Sequence, residues 1–552
     1  MILYKLITEE GEVDWARLLI YSSLSGIAAA SILAIINAGI KSAERPRIDL
    51  LIELILACII YAVSYRRSVE HTTELVESAI AKIRMRLCTK IYTADLHKLE
   101  QLGISHLYEQ IVQQTIIISN GSWLLNVGLQ AASFVLFTMV YIAILSRVGL
   151  LSLMLFCGIA ALAYQRHNRA MAALMTAVAA CQGALRMVLS DLIGGLKEIR
   201  LRAQRGKDLQ ADHRLAAQSL KELSEESHML NQENFLILTM FVFALLALVV
   251  FVLPDNVSIS TRTLSALSSA VIFLYRPLGI LKSLAPDLGR MMAAANRIQA
   301  IDHELDRESN DLSSITVDPW AGRFSTITID ELCFDHIDTS QHATFSLGPI
   351  SLSLQAGEII FFVGGNGSGK TTFLKLLASL YTMKSGSICV DGIPISAQNI
   401  LAYRGMFAAI FTDFHLFTRL YGMTDLPEVQ VNQRLDEMHL GSVTRYRNEQ
   451  FTNLKLSTGQ RKRLAMTVAL LEDKPIYIFD EWAADQDPEF RRYFYEQLLP
   501  ELRRQGKTVL AISHDDRYFH CADRVILMED GVVRSSTIHC EPVGIKTAPS
   551  PT

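Results

Sequence analysis

Long apolar runs alternate with more polar, helix-like segments up to about residue 301 of the 552-residue chain. The first run, residues 18–40, carries no charge and is long enough to cross a hydrocarbon core of about 30 Å. By length and flanking charge, further runs predict five more membrane helices, at residues 48–65, 121–145, 148–164, 235–253 and 263–281. Arg276 and Pro277 interrupt the last of these runs.

Two long connections between these runs keep a helical pattern and contain almost no proline. Residues 69–119 and 166–231 continue the neighbouring membrane helices, which predicts helices that extend tens of ångströms beyond the membrane. Turns are expected at residues 191–200, DLIGGLKEIR, and around residues 99–106, where the chain would touch a soluble domain. A solvated charged helix is the alternative for these segments.

The basic residues indicate which side of the membrane each connection occupies. Lys and Arg are concentrated in the two long connections, whereas the opposite side has only Lys41, Arg45, Arg47, Arg147 and Arg262. Cytoplasmic loops carry the excess of positive charge in membrane proteins. Both long connections, and the soluble domain that follows, are therefore expected in the cytoplasm, with the helices in a bacterial cytoplasmic (inner) membrane.

The pattern divides the chain into a transmembrane domain over residues 1–305, a linker over 306–322 and a soluble domain over 323–535. The N-terminal stretch has no basic leader with a cleavage site, and we expect a short amphipathic segment at the membrane surface there. Residues 536–552, rich in Pro and Thr, are expected to be disordered.

Composition excludes some classes of function. The formal net charge of −4 argues against a nucleic-acid partner. The eight cysteines form no C-x-x-C pair and have no spacing with histidine that suggests zinc, so they are expected to be reduced thiols.

A glycine-rich stretch, IIFFVGGNGSGKTT at residues 359–372, lies between an apolar strand pattern and a helix pattern. It satisfies G-x-x-x-x-G-K-[ST], in which backbone N–H groups cradle phosphates, the lysine meets phosphate oxygens and the hydroxyl holds Mg²⁺. This predicts a nucleotide site; a structural glycine turn is the alternative. The candidate phosphate-binding residues are Gly364, Asn366, Gly367, Ser368, Gly369, Lys370, Thr371 and Thr372.

Two later strand patterns end in groups suited to hydrolysis. In IYIFDE, Asp480 is placed to hold Mg²⁺ and Glu481 to orient or deprotonate the attacking water. Residues 508–512 lead into Ser513 and His514, whose imidazole could sense the terminal phosphate. An acidic pair at a strand end is common and a lone histidine is often structural, but both follow a phosphate loop here.

The segment LSTGQ at residues 456–460 precedes a basic helix pattern. Its N-terminal N–H groups, the Ser457 hydroxyl and Gly459 would suit an anion. A helix cap alone would also explain Ser457.

The set GGNGSGKTT, LSTGQRKRLA, IYIFDEWAADQD and AISHDD, in this order, resembles the ATPase domain of ABC transporters. The resemblance covers most of residues 324–534, and the membrane half resembles ABC exporters in its pattern of six spans. It implies a six-helix transmembrane domain with long cytoplasmic helix extensions, followed by an α/β P-loop ABC ATPase domain. DEWAADQDPEFRRYFYEQLLP and ISHDDRYF look like the cyclic-peptide and siderophore exporters related to the pyoverdine and syringomycin export proteins.

The resemblance assigns roles to individual residues, with ATP and Mg²⁺ as cofactors. Lys370 would bind phosphate, Thr371 and Asp480 would hold Mg²⁺, Glu481 would be the catalytic carboxylate and His514 the switch. A second set of residues would close over the γ-phosphate that is bound by the partner subunit: Ser457, Gly459, Gln460 and Asp487. A homodimer follows, since the two sets must come from different ATPase domains.

The chain departs from the family pattern at three places. Thr458 replaces a glycine of LSGGQ, a modest change. The expected loop glutamine is replaced by Thr412, next to Asp413, and either could contact Mg²⁺ or water. The adenine-stacking tyrosine falls at His336, which could stack, whereas Phe334 is interpreted as strand core.

The expected function is ATP-driven export of a peptide-like product, such as a cyclic or nonribosomal peptide or a siderophore precursor. The alternatives are a lipid flippase, a siderophore importer built on the exporter fold, and an ATP-gated channel or sensor. Polar groups near membrane depth could contact substrate or bond between helices: Glu53, Asn126, Gln130 and Arg276.

Overall fold

The computed structural model describes residues 15–41, 48–103, 107–256, 260–306, 317–337 and 343–538. It separates into two compact units. Unit 1 comprises Met1–Leu87 with Tyr108–Asp302, and unit 2 comprises Cys88–Leu107 with His303–Thr552. A short piece of the first long connection therefore belongs with the soluble domain. The expected N-terminal segment lies outside the described residues.

Unit 1 is helical, and its helices are long because the apolar runs continue into the polar connections. Short π-helical stretches, Glu109–Gln113 and Leu248–Val252, precede α4 and α9. The helices of this region are α1 (Trp15–Lys41), α2 (Ile48–Thr93), α3 (Leu96–Leu102), α4 (Gln114–Asn120), α5 (Ser122–Leu145), α6 (Arg147–Gly194), α7 (Leu196–Leu201), α8 (Ala203–Ala247), α9 (Leu253–Asn256) and α10 (Thr261–Asp306). Of these, α3 lies in unit 2.

Six helical stretches among the described residues are long and apolar enough to cross a membrane, as predicted: Ala16–Ile40, Ile48–Thr93, Glu109–Leu145, Ala173–Gly194, Ala203–Val252 and Thr261–Asp306. The predicted fourth span lies in the first half of α6. There the described side chains form a shorter apolar stretch, Arg147–Ile159, while the longer window falls in the second half of the same helix.

The residues that interrupt the apolar pattern of the sixth span, Arg276 and Pro277, do not end its helix. Helix α10 runs through both Pro277 and Pro286. Membrane helices tolerate proline because neighbouring helices and local adjustments compensate for the lost hydrogen bond. The apolar core of unit 1 joins helices distant in sequence, with buried Leu33, Ile142 and Leu267 in one cluster.

The described residues of unit 2 form three sheets. Strands β1 (Thr326–Ile337), β2 (Ala343–Gln355), β4 (Ser385–Val390) and β5 (Ile393–Pro394) form an antiparallel sheet in the order β2-β1-β4-β5. A larger sheet has the order β12-β11-β3-β10-β9-β6. Its strands are β3 (Ile359–Val363), β6 (Phe407–Ile410), β9 (Ile476–Asp480), β10 (Thr508–Ile512), β11 (Arg524–Glu529) and β12 (Val532–Ile538). The third is a hairpin of β7 (Tyr446–Arg447) and β8 (Gln450–Phe451).

The helices of the soluble part cover this larger sheet. They are α11 (Lys370–Leu377), α12 (Ile400–Arg404), α13 (Glu428–Glu437), α14 (Thr458–Glu472), α15 (Pro488–Tyr493) and α16 (Leu499–Arg504). Strands β9 and β10 are buried along their whole length, as expected for parallel strands covered on both faces.

The domain boundaries differ from the expected ones at both ends. Trp320 is buried in the core of unit 2, and its indole N–H donates to the Val390 carbonyl at 3.2 Å. Trp320 therefore packs in this core, although a linker is expected there; residues 307–316 lie outside the described part. Likewise, β12 reaches Ile538, beyond the expected start of a disordered tail.

Candidate ATP site

The site is built where neighbouring parallel strands end. Strand β10 lies between β3 and β9 and pairs with both in parallel register. The loops that follow β3, β9 and β10 therefore meet at one edge of the sheet, the place where ligands bind in open α/β sheets. The phosphate loop, the acidic pair and His514 are brought together by this topology.

The loop between β3 and α11 depends on glycine. Gly364, Gly367 and Gly369 have positive φ angles of 143°, 80° and 93°. A Cβ atom on Gly364 would collide with the carbonyl oxygen of Met528. The loop thus keeps its backbone close to the neighbouring strand and leads into the N-terminus of α11, which favours anions.

Lys370 begins α11 and folds back over this loop. Its ammonium donates to the carbonyl oxygens of Gly364 at 3.0 Å and Gly365 at 2.8 Å, and to the Ser368 hydroxyl at 3.3 Å. Burial lowers the pKa of Lys370, although the nearby carboxylates Glu481 and Asp480 oppose this. A phosphate bound in the loop would supply the negative charge that compensates the buried ammonium.

Asp480 and Thr371 form the part of the site that suits a divalent cation. The Thr371 hydroxyl donates to Asp480 Oδ2 at 3.0 Å. Asp480 is 1% exposed, and its buried Oδ1 atom has no hydrogen-bond partner among the described residues. Burial is the largest influence on the pKa of Asp480 and raises it, while the hydrogen bond from Thr371 opposes this. Hard oxygen ligands with an unpaired carboxylate oxygen fit Mg²⁺.

Glu481 and His514 face each other across the ends of β9 and β10. His514 Nε2 lies 3.1 Å from Glu481 Oε1, and both side chains are partly exposed. Glu481 has a φ angle of 49°, a backbone strain that is uncommon for glutamate and is often found at functional sites. Both residues line a cavity together with Arg491, Ser513 and Arg517.

Ser457 caps α14, so the helix cap that offered an alternative explanation for this serine is present. Its hydroxyl accepts from the Gln460 N–H at 3.4 Å, while the Gln460 side chain accepts from the Ser457 N–H at 3.0 Å. Such a reciprocal cap leaves other N–H groups of the first turn available. Both side chains are held in place by the helix start within one chain.

Lys462 fastens this helix to the end of β9, a role that the sequence motifs did not reveal. Its ammonium donates to the Glu481 carbonyl at 2.7 Å and pairs with Asp485 at 2.7 Å. The Trp482 indole N–H in turn donates to the Lys462 carbonyl at 2.8 Å. The backbone at Glu481 is therefore held by a buried lysine.

Asp487 is engaged within its own chain. Its carboxylate accepts from the Phe490 N–H at 2.8 Å, which caps α15, and pairs with Arg463 at 3.1 Å. Gly459 lies nearby, and its carbonyl accepts from the Gln486 side chain at 3.3 Å. These contacts link the helix start at Ser457 to the segment after Glu481.

Thr412 and Asp413, the replacements for the expected glutamine, point in different directions. The Thr412 backbone lies close enough to Asp480 to oppose the upward shift of the Asp480 pKa. The Asp413 carboxylate instead pairs with Lys375 of α11 at 3.3 Å.

His336 lies in an aromatic cluster. Its ring makes edge contacts with Phe334 at 5.1 Å and with His97 of α3 at 4.7 Å, and burial lowers the pKa of His336. Phe334 is buried, in line with its interpretation as strand core. The cross-strand partner of His336 is Phe345, whose ring packs close to Gly369 of the phosphate loop. Sequence reasoning missed Phe345, since it lies outside the motifs.

Comparison with known proteins agrees with this geometry. Residues 347–484 match the profile of the ABC transporter family. The chain is 37% identical over 300 residues to ATP-binding protein SyrD of Pseudomonas syringae pv. syringae, covering 53% of each chain. It is 28% identical over 319 residues to the ATP-dependent lipid A-core flippase of Vibrio parahaemolyticus, covering 54% of this chain and 52% of the flippase. The chain spans about half the length of the curated relatives it matches.

Proposed function

We propose that this chain is an exporter-type half-transporter that hydrolyses ATP to export a peptide-like product, because a match to the ABC transporter ATPase domain follows its apolar membrane helices. The observation that carries the proposal is the convergence of Lys370, Asp480, Glu481 and His514 at one sheet edge. This set can bind phosphate and a cation and activate water, and the same chain supplies the membrane helices.

In this mechanism the chain's own groups position ATP and water. Lys370 and the loop N–H groups would bind the β- and γ-phosphates, and Thr371 with Asp480 would hold Mg²⁺. Bound Mg²⁺ would neutralise the charge that develops on the phosphate oxygens. Glu481 would orient or deprotonate the attacking water. The contact with His514 would hold the Glu481 side chain in place, and the contact with Lys462 would hold its backbone.

A second copy of the chain would complete each site. Ser457, Gly459 and Gln460 of one subunit would cover the γ-phosphate held by Lys370 of the other, with Asp487 next to them. Binding of two ATP molecules would then draw the two ATPase domains together, and hydrolysis would release them. The long helices would pass this change to the spans.

The proposed cargo rests on similarity to known transporters and on the polar residues of the membrane helices. SyrD, named as an ATP-binding protein, and lipid A-core flippases are both relatives, so a lipid is the second candidate. Asn126, a predicted substrate contact, instead accepts from the Ser68 hydroxyl at 2.6 Å and is buried. It fits the helix–helix alternative, whereas Glu53 and Arg276 are exposed in the single chain.

The test uses the full-length protein in nanodiscs and in proteoliposomes. We expect ATPase activity that is stimulated by a member of a panel of cyclic peptides, siderophore precursors and lipids. Glu481→Gln should lower the rate by roughly 10²-fold or more, since the carboxylate that activates water is lost. Glu489→Gln, an exposed glutamate on α15, is the matched control and should keep the wild-type rate.

The alternatives give different outcomes in these experiments. Stimulation by lipids but by no peptide would replace the peptide cargo with lipid flipping. ATP-dependent movement of cargo towards the side of the membrane that carries the ATPase domain would indicate import. Ion flux without stoichiometric ATP hydrolysis would indicate a channel, and an unchanged rate in Glu481→Gln would contradict the ATPase mechanism.

A further inference from the structure

Lys375 is a buried lysine that the proposed ATP site does not use. It lies in α11, five positions after Lys370, and is 7% exposed. Its ammonium reaches three oxygen atoms: Glu100 Oε1 at 2.9 Å, Asp413 Oδ2 at 3.3 Å and the Tyr381 hydroxyl at 3.4 Å. The lysine therefore joins residues that are far apart in the sequence.

The charges of this cluster depend on one another. Burial acts to lower the pKa of Lys375, but the hydrogen bond to Glu100 and the charges around it outweigh burial, and the net shift is upward. The ammonium therefore stays charged. A buried charge is costly without its partners. The Lys375 ammonium therefore favours conformations in which the carboxylates of Glu100 and Asp413 stay close to it.

One of these carboxylates leads directly to the proposed cation site. Asp413 follows Thr412, whose backbone lies close enough to Asp480 to influence the pKa of that carboxyl. The family glutamine expected at this place is absent, and the Asp413 side chain turns towards Lys375 instead. Any displacement of this segment when Asp480 engages a cation would move the Asp413 carboxylate relative to the Lys375 ammonium.

The other carboxylate belongs to α3, the short helix that follows α2 and packs within unit 2. Glu100 also accepts from the Tyr381 hydroxyl, so Lys375 and Tyr381 share it. At the start of α3, Asp95 caps the helix through the His97 N–H at 2.8 Å and accepts from the Thr382 N–H at 3.0 Å. Helix α3 is thus held to the ATPase core at both ends.

We propose that Lys375 is a positioning residue that couples the ATP site to helix α3, because its ammonium is shared between Asp413 and Glu100. Two arrangements follow, in which the ammonium lies closer to one carboxylate or to the other, and nucleotide binding biases the choice. This inference rests on the proposed function in one respect, namely that the site binds Mg²⁺-ATP.

The experiment is hydrogen exchange of residues 96–103 in the full-length protein in nanodiscs, with and without Mg²⁺-ATP and vanadate. In wild-type protein, exchange in this segment should change when nucleotide is trapped. Lys375→Met keeps the length of the side chain without its charge, and should reduce that change at least about fivefold, the lower range of typical coupling. Binding of a fluorescent ATP analogue is measured in parallel and should persist.

Lys384→Met is the matched control. Lys384 pairs with Asp335 in the same domain but is 65% exposed, so its loss removes an ion pair without touching α3. The control should show the wild-type response. Asp413→Ala removes the same ion pair at an exposed position and can be measured even if Lys375→Met does not fold. It should also weaken the response of residues 96–103.

The outcomes separate this inference from the proposed function. A wild-type response of residues 96–103 in Lys375→Met or in Asp413→Ala would overturn the role of Lys375, while ATP hydrolysis could still be intact. An equal loss in Lys384→Met would also overturn it, since the effect would then be a general one. Failure of the wild-type protein to bind or hydrolyse ATP would instead contradict the proposed function.

Discussion

The imidazole Nε2 atom of His514 lies 3.1 Å from the carboxylate Oε1 atom of Glu481. The two residues end neighbouring strands, β10 and β9, and their contact therefore depends on the parallel pairing of those strands. In the proposed mechanism, Glu481 would act on water and His514 would hold the Glu481 carboxylate.

His514→Ala should lower the rate of ATP hydrolysis by about 10²-fold, because the Glu481 carboxylate loses its orienting partner. The effect should fall on kcat more than on KM for ATP, since the His514 imidazole contacts Glu481 rather than the phosphate loop among the described residues. Steady-state ATPase measurements check this. His520→Ala, an exposed histidine nearby, is the control, and equal losses in the two variants would contradict the assignment.

Gly364→Ala should abolish nucleotide binding. The new Cβ atom would collide with the Met528 carbonyl at a φ angle of 143°, so the phosphate loop must shift. Gly365→Ala is a matched control one residue away, where a Cβ atom has nothing within 4 Å and no positive φ is required. Titration with a fluorescent ATP analogue should separate the variants, and equal affinities would contradict the loop geometry.

Binding of Mg²⁺ should depend on pH in a defined direction. Burial raises the pKa of Asp480, so its carboxylate takes up a proton at a higher pH than an exposed aspartate does. Mg²⁺ binds the ionised form and competes with that proton. As pH falls, ATPase activity at low Mg²⁺ should therefore be lost at a higher pH than activity at saturating Mg²⁺.

The measurement is a pair of pH profiles in which the concentration of the Mg²⁺-ATP complex is held constant and free Mg²⁺ is varied. Two profiles that superimpose would argue against Asp480 as a ligand of the cation. A shift of the acidic limb to lower pH with added Mg²⁺ is the expected result.

A homodimer predicts a cross-link between chains. Ser368→Cys on one copy and Ser457→Cys on another should form a disulfide when ATP is bound, in a background without reactive native cysteines. The readout is a dimer band on a non-reducing gel after co-expression of the two single variants. Each single variant alone provides the control. A cross-link that forms only within one doubly substituted chain would exclude the proposed arrangement.

The motifs proposed to bind phosphate could be identified from sequence because each is local. The glycines before Lys370 and the acidic pair at Asp480 and Glu481 lie within a few residues of the strands that position them. The capping box at Ser457 is likewise a pattern of four residues. Local patterns of this kind are readable because turn geometry and helix starts depend on neighbouring residues.

Other contacts could not be anticipated. Lys462 holds the Glu481 carbonyl, and Phe345 packs close to Gly369, although neither residue lies within the motif it supports. Helix α10 continues through Pro277, where the sequence suggested an interruption. In each case the outcome depends on what packs against the residue, and periodicity carries no information about that.

The order of membrane helices and ATPase motifs can be identified along the chain alone, because apolar length and glycine spacing are local properties. In contrast, the packing of α3 with the ATPase core and the position of Lys375 between Glu100 and Asp413 depend on the folded structure. These partners are separated by long stretches of sequence. Their contact arises because burial brings distant charges together and requires each to be compensated.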